Sequence, residues 1–354
     1  MGRVRAGARE TQPERGPVAV VIPAYNARHL LPACLAALRC QTRAPDAVYV
    51  VDNGSADGTW EWLREEALRD PRLRPLRELT PGQAAARNAA LSHVRAGVVA
   101  FTDADCVPEP AWLERLLGAY GERVGAVAGY VAGHAPRTVT ERYLSVAGFP
   151  TPDVPGVLSE FRFPTVVFYT ANFSARAEVL HALGGFDEAM PPADDHDLCC
   201  RILRAGWRIA YTPEARVGHR HRRQVGAMLR RLFEYGHARP KMLRKNCAGT
   251  AYLLVGARVV EWRGGVTACV NLSSPDKVSL ALLGLSLWSP WWLGVLGAYW
   301  IRTGAHVLRA ARRRGVLPRS PWELAAWTGL HLLEFGAVNA GSLAASPRHR
   351  VLCV

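Results

Sequence analysis

Several familiar frameworks are missing from this sequence. None of its eight cysteines (34, 40, 106, 199, 200, 247, 269 and 353) forms a Cys-x-x-Cys pair. That removes zinc-ribbon and thioredoxin-type chemistry, which depends on such spacing. The cysteines are too scattered along 354 residues to staple a disulfide scaffold, so a reducing compartment is the simplest expectation. No internal repeat is present, and the 32 glycines and 24 prolines are dispersed, which excludes solenoid and low-complexity architectures. The basic start (Arg3, Arg5, Arg9, Arg15) leads into Val18–Tyr25, an apolar run too short for a cleavable signal segment. Residues 1–16 are expected to form a disordered basic tail.

What is present is enough apolar sequence, 49%, to bury a sizeable core. The net charge is +14, supplied mostly by arginine, with clusters at 219–223, 230–231 and 312–314. Such a balance favours anionic partners. The clusters lack interleaved aromatics and match no nucleic-acid-binding module, so no nucleic acid is expected as partner.

The first half alternates short apolar runs with helical periodicity, the pattern of βαβ units on a mainly parallel sheet. Strands are expected at Val18–Ile22, Ala47–Val51, Leu73–Leu76 and Val98–Thr102, and helices at His29–Arg39, Thr59–Arg69 and Gln83–Arg95. Further on, Trp112–Tyr120 reads as a helix and Ala126–Ala132 as a strand. Residues 134–163 read as a long functional loop, Val166–Ala175 as a strand, and Ala177–Leu183 and Asp197–Ala205 as helices. Cys199 and Cys200 are expected on a buried helix face. Residues 223–270 read as a basic amphipathic helical extension, and 271–354 as a hydrophobic helical region.

Five segments carry chemistry. Asp103 and Asp105 follow a buried strand directly, where ligands sit in open α/β sheets. Two carboxylates one residue apart can share a hard cation, Mg²⁺ or Mn²⁺; in an arbitrary loop the same pair is only a solvated turn. Asp52 ends a strand before the small-residue loop NGSADG, where it can accept a hydrogen bond from a base or simply belong to a capped βα turn. Gly82 frees a turn at a helix start and Arg87 lies on that helix, an arrangement suited to phosphate. Asp194, Asp195 and Asp197 crowd another helix start, which either caps it or raises one carboxylate toward general-base duty. His219, with His221 nearby, can complete a metal shell.

Taken in order, VVIPAYN, VVDNGSADGT, PGQAAARNAAL, FTDADC, TANFSARAEVLHALGGFDE and DDHDLCCRILRAG resemble the family 2 glycosyltransferases over roughly residues 17–222. The resemblance implies a GT-A nucleotide-sugar-binding fold, Rossmann-like, mixed and mainly parallel, flanked by helices. It implies transfer of a sugar from a nucleotide-diphosphate donor, most often a UDP-sugar, to an acceptor hydroxyl with inversion. By the same resemblance Pro23, Tyr25, Asn26 and Asp52 line the base and ribose pocket, and Gly82 and Arg87 approach the diphosphate. Asp103 contacts ribose or metal, and Asp105 ligates the metal together with His219, or with His221 in its place. Asn172, Gly184, Gly185, Phe186 and Asp187 line the sugar and acceptor pocket with Asp194, and Asp195 is the general base. The family's glutamate-aspartate pair reads Asp194-Asp195 here, so the base assignment can slip by one. The QxxRW motif of processive members is absent, which points to a non-processive enzyme. The alternative is an inactive relative that binds nucleotide sugars and acts as a scaffold.

Ser279–Ile301 carries no charge and is long enough for a bilayer helix. Ser289-Pro290 breaks it, however, beside Trp288, Trp291 and Trp292. A single crossing would place Arg302 and Arg312–Arg314 outside, against the positive-inside rule. A re-entrant or in-plane segment at the cytoplasmic face resolves the conflict. Trp322–Ala345 is a weaker membrane candidate because it holds Glu323 and Glu334. Membrane attachment implies an acceptor glycan or lipid of the cell envelope.

Overall fold

Val18–Ala24 is buried at every position, which only a strand covered on both faces allows. In the computed structural model, which describes residues 16–152, 154–161, 168–190, 192–256 and 258–354, this strand is β1. The expected tail at 1–16 lies outside the described residues apart from Gly16. The chain divides into two compact units: residues 16–130, Val154–Gly185 and Arg201–Val217 in the first, and 131–152, Phe186–Cys200 and Gly218–Val354 in the second.

The first unit is built by alternation. After β1 come α1 (Leu31–Arg39), β2 (Ala47–Asp52), α2 (Thr59–Ala67), β3 (Leu73–Arg77), α3 (Gln83–Leu91) and β4 (Val98–Phe101). Strands β3, β2, β1 and β4 pair in parallel in that order. All the strands and helices expected up to residue 102 are present, with ends shifted by a few residues. Then follow β5 (Cys106–Pro108), α4 (Trp112–Leu117), β6 (Val124–Gly133), then α5 (Val139–Ala147), which belongs to the second unit, and β7 (Gly156–Leu158). Next are a 3-10 turn at Thr170–Asn172, β8 (Phe173–Arg176), α6 (Ala177–Ala182), α7 (Asp194–Arg204) and β9 (Arg208–His219). The sheet continues β4-β8-β6-β9-β5, with β7 on β9. Strand β8 runs antiparallel to both β4 and β6, so the sheet is mixed, with its parallel half carrying β1–β4. As expected, Cys199 and Cys200 lie on the buried face of α7.

Two expectations for this stretch are corrected. Residues 134–163 are not one long loop, because α5 forms inside them. Its start is a capping box: the Thr138 hydroxyl accepts from Glu141 N–H, and the Glu141 carboxylate accepts from Thr138 N–H. This Thr-x-x-Glu signature outweighs the flanking Pro and Gly. The strand expected at Val166–Ala175 is the short β8 preceded by the 3-10 turn, with residues 162–167 outside the described residues. Strand β9 was not anticipated.

The second unit contains α5, α8 (Val225–Asn246), β10 (Thr250–Val255), β11 (Arg258–Arg263), β12 (Ala268–Asn271), α9 (Pro275–Ser286), α10 (Trp291–Arg314), α11 (Pro321–His349) and β13 (Leu352–Cys353). The expectation of a helical extension over 223–270 holds only to Asn246. A four-stranded sheet follows, in the order β11-β10-β12-β13, closed by the C-terminus. Its β-branched and aromatic runs are short and interrupted by glycine, so they carry little periodicity. Helices α8 and α11 approach closely. A Cβ on Gly236 would lie 2.0 Å from the Val338 carbonyl, and one on Gly341 2.1 Å from that of Phe233. Tyr143, Val146, Met228, Val307, Ala311, Trp327 and Leu330 form a core joining α5, α8, α10 and α11. Ser279–Ile301 is not one helix but the facing parts of α9 and α10, separated at 287–290. Among the described residues no helix is long and apolar enough to cross a membrane.

Candidate active site

At the carboxyl ends of β1 and β2, backbone amides are spoken for by side chains of the opposite loop. Asn26 N–H donates to Ser55 Oγ (2.9 Å), Ala27 N–H to Thr59 Oγ1 (3.0 Å) and Arg28 N–H to Asp57 Oδ2 (3.1 Å). Asn26 Oδ1 accepts from Ala56 N–H at 2.9 Å, and Asn26 itself has φ 49°, a left-handed conformation asparagine tolerates. These braces hold Tyr25 out at 68% exposure, a free aromatic face above a rigid turn, while Pro23 is buried within β1.

Asp52 closes β2. It is fully buried, accepts from Ser55 N–H (3.3 Å) and faces Arg77 Nε at 3.3 Å. The next residue, Asn53, ties the third loop down. Its amide donates to the Glu78 and Thr80 carbonyls (both 2.8 Å), and its Oδ1 accepts from Gly82 N–H (2.8 Å). Gly82 has φ 130°, which no side-chain-bearing residue adopts without strain, and it opens α3. The phosphate-suited helix start is therefore anchored to the strand bearing Asp52.

Arg87, on α3, is 1% exposed and donates through Nη2 to Asp103 Oδ1 at 3.2 Å. It holds one strand-end carboxylate rather than projecting into open solvent. Thr102 is pinned by a 3.0 Å bond from its hydroxyl to the Ala171 carbonyl, so the turn after β4 leaves at a defined angle. Asp105 stands two residues beyond Asp103, half-buried, directly before β5. The negative potential of this turn is visible in its neighbours. The Cys34 and Cys106 thiols are pushed up, first by burial and then by the carboxylates of Asp105 and Asp103. Among these side chains, the carboxylates of Asp103 and Asp105 are the hard oxygen donors that suit Mg²⁺ or Mn²⁺.

Asn172 departs from expectation. It is 1% exposed and its amide is spent on the protein: Oδ1 accepts from Trp112 Nε1 (2.8 Å), and Nδ2 donates to the Tyr130 and Ala215 carbonyls (2.9 and 2.8 Å). It ties β6 and β9 to the turn that opens β8. Gly184 and Gly185, expected in the sugar pocket, serve the end of α6. Both have positive φ (73° and 72°), and Gly185 N–H reaches the Leu180 carbonyl at 2.8 Å. A Cβ on Gly185 would lie 2.5 Å from Asn88 Oδ1.

In the second unit, Phe186 is buried, while Asp187 accepts from Ala189 N–H (2.9 Å) and from Lys245 Nζ (2.6 Å). The same ammonium reaches the fully buried Asp197 at 2.7 Å, where Asn246 Nδ2 adds a 3.3 Å bond. Asp197 is thus the structural anchor of the acidic trio. Asp194, 4% exposed, opens α7, and Asp195 is half-buried beside it, accepting from His196 N–H at 2.7 Å. The Tyr235 hydroxyl is pushed up by burial, drawn down by Arg231, and pushed up again by the Asp195 carboxylate. A cavity of ≈ 430 Å³ nearby is lined by Pro192, Arg231, Phe233, Glu234 and His237. Lys245, Arg231 and Tyr235 were missed in the sequence because α8 showed only a generic basic amphipathic pattern.

The two histidines sit against Phe149, with ring centroids 4.9 Å (His219) and 5.9 Å (His221) away. His221 is pushed down to about 3 by burial and by His219, and stays neutral. His219 ends β9, the strand beside β5 in the sheet.

Known proteins resemble this chain in sequence and in fold. The model of the family described as "Glycosyl transferase family 2" matches residues 19–183. A pre-mycofactocin glycosyltransferase of Mycobacterium tuberculosis is 31% identical over 270 residues, 71% of this chain and 54% of that protein. The chain therefore spans about half that relative's length. Glycosyltransferase AglE of Haloferax volcanii is 30% identical over 252 residues, 68% of this chain and 80% of that protein. Among solved structures, a mannosyltransferase of Pyrobaculum calidifontis in complex with GDP-Man and Mn²⁺ superposes with TM-score 0.54 at 22% identity. That match covers 93% of this chain and 87% of the other, and it speaks for the fold alone. With the strand-end carboxylates, the braced loops and these relatives together, the chain belongs to glycosyl transferase family 2.

Proposed function

We propose that the protein moves a sugar from a nucleotide-diphosphate donor, a UDP-sugar foremost, onto an acceptor hydroxyl with inversion, one residue per encounter. The acceptor is a glycan or lipid of the cell envelope met at the cytoplasmic face of the membrane. The observation that carries the reading is the turn after β4, where buried Arg87 fixes Asp103 and leaves Asp105 beside it. The GDP-Man and Mn²⁺ of the related mannosyltransferase support a nucleotide-diphosphate donor and a divalent cation without choosing the base.

Tyr25 offers its exposed ring to a base, and Asp52 an acceptor to a base N–H. Asp105 and His219, or His221 in its place, with Asp103, would hold Mg²⁺ or Mn²⁺, as the family resemblance implies. A bound cation would offset charge developing on the departing diphosphate. Asp195 takes the proton of the acceptor hydroxyl as its oxygen attacks. Its half-buried place at the start of α7, with Asp197 paired to Lys245, supports this role, with Asp194 as the alternative.

Donor hydrolysis across a panel of nucleotide sugars, with and without Mn²⁺, tests the assignment. Asp195→Asn is expected to lower turnover about 10²–10⁴-fold while UDP binding by calorimetry is kept. Asp105→Ala is expected to abolish the metal-dependent part of that binding. Unchanged turnover in Asp195→Asn removes it from the mechanism, and absence of hydrolysis with every donor favours the scaffold reading.

A further inference from the structure

The α9–α10 hairpin is unlike the rest of its unit. Helix α9 has no buried residue, and its charge-free run starts at Val278, just after Lys277. Helix α10 stays charge-free as far as Ile301, and Arg302 follows. Down to that level its side chains are largely outside the core: Trp291 is 65% exposed, Leu293 52%, Trp300 46% and Ile301 77%. At the tip, Leu287 and Trp288 are 91% and 88% exposed, next to exposed Trp291 and Leu293, and apolar groups clustered in this way mark interaction surfaces. From Thr303 onward the helix changes character. Thr303, Gly304, Val307 and Ala311 are buried, and Val307 and Ala311 enter the core around Trp327.

The dimensions of the projecting part are informative. At 1.5 Å per residue, Val278–Ser286 spans about 13 Å and Trp291–Ile301 about 16 Å. Half of a hydrocarbon core is about 15 Å. The two legs are level, because Trp300 Nε1 donates to Ser279 Oγ at 3.2 Å. Lys277 and Arg302 therefore flank the apolar part at one height. Exposed Arg309 and Arg312 continue the positive charge along α10.

The tip is also suited to a medium without water. Leu287 N–H donates to the Gly284 carbonyl, and Trp288 and Ser289 N–H to that of Leu285 (3.2, 3.0 and 3.1 Å). Trp292 N–H donates to the Ser289 carbonyl (3.1 Å) and Leu293 N–H to that of Pro290 (3.0 Å). Pro290 has no N–H to satisfy, and the Ser286 hydroxyl donates to the Leu283 carbonyl at 2.6 Å. A turn that pairs these N–H groups within itself lowers the cost that bars ordinary loops from lipid.

The geometry points to a monotopic membrane anchor: the α9–α10 hairpin enters a single leaflet tip-first, with Lys277 and the α10 arginines on anionic headgroups. This deepens the proposed envelope function by naming the surface on which the enzyme works, and it rests on that reading only for the acceptor. Trp300, at the level of the charges and with its indole N–H bonded, sits where tryptophan is favoured, at the interface.

The test is flotation of the full chain with vesicles of phosphatidylcholine containing about one third phosphatidylglycerol, alongside vesicles brominated midway along the acyl chains. Wild type is expected to float and to lose tryptophan fluorescence to the bromines. Leu287→Asp with Trp288→Asp, at exposed positions that leave the core untouched, is expected to weaken partition about a hundredfold. The same double variant should retain donor hydrolysis, so failure of the anchor and failure of the enzymatic reading are told apart. Flotation unaffected by the double substitution, or erased by salt in both proteins, would mean surface arginines alone bind the lipid and overturns the anchor. Absence of flotation, with a concentration-dependent dimer that the double substitution abolishes, would mean a second copy covers the tip and equally overturns it.

Discussion

The loops at the ends of β1–β3 and the turn between α9 and α10 are both exposed, yet they satisfy their polar groups in opposite ways. In the first, each loop is tied by side chains of another: Asn26 to Ser55 and Ala56, Asn53 to Gly82. In the second, the backbone bonds only to itself, and what faces outward is Leu287 and Trp288. A loop braced by its neighbours keeps its free groups aimed at a fixed place, as reception of a polar ligand requires. A turn that bonds to its own backbone leaves fewer N–H groups to strip of water. Exposure alone therefore does not define a site; the partners of the buried polar atoms do.

The sharpest way to break the comparison is to strike a brace. Asn172→Ala would leave the buried Trp112 Nε1 and two strand carbonyls without their partner. A loss of about 3–4 kcal/mol is expected, read by denaturant unfolding. Gly129→Ala attacks the same lock, because its Cβ would lie 2.3 Å from the Ala215 carbonyl and 2.5 Å from the Asn172 amide. Near-wild-type stability in both variants would show that the lock does not hold the strands.

A smaller effect is expected at Lys245. Lys245→Met removes the cation between Asp187 and the fully buried Asp197. Removing one partner of a buried pair is costly, but Lys245 keeps 36% of its side chain exposed, so about 2–3 kcal/mol is expected. Rescue by the further change Asp197→Asn would confirm the uncompensated carboxylate as the cause.

The smallest effect concerns pH and the helices below the hairpin. Tyr143 Oη donates to Glu334, and His331 Nδ1 lies 3.1 Å from the same hydroxyl. Burial pushes Glu334 up to about 7, against the opposing pull of the Tyr143 hydroxyl. His331 is pushed down to about 4 by burial and by His306. The folded state thus holds the Glu334 proton more tightly than the unfolded chain, so stability falls as pH rises from 4.5 toward 7. It holds the His331 proton more weakly, so stability rises from pH 4 to 6.5. The two slopes oppose each other. Glu334→Gln leaves the histidine slope alone, and stability should then climb between pH 4.5 and 6.5 by about 1–2 kcal/mol more than in wild type. Identical pH profiles from thermal melts would refute the coupling.

The parallel half of the sheet was legible because each element announces itself within its own residues. Val18–Ile22 and Val98–Phe101 are continuous apolar runs, and α1 and α3 follow with helical spacing. Asp52, Asp103 and Asp105 could be placed because they end such runs. The broken apolar stretch around Pro290 was legible for the same reason. Strand β9 and the β10–β13 sheet were not: their residues alternate imperfectly, and pairing with distant partners, such as Cys269 opposite Cys353, stabilises them. Helix α5 carried its signal in Thr138 and Glu141, hidden among glycines and prolines.

The amino-acid sequence by itself determined the order of βα units, the strand-end carboxylates and the charge-free hairpin, since periodicity, capping and turn chemistry act over a few residues. Only the tertiary structure decided that Arg87 grips Asp103, that Asn172 is a lock, that Asp197 belongs to Lys245, and that α9 and α10 stand level. These are pairings between residues far apart in the chain. Geometry and desolvation select them, and no local pattern encodes either.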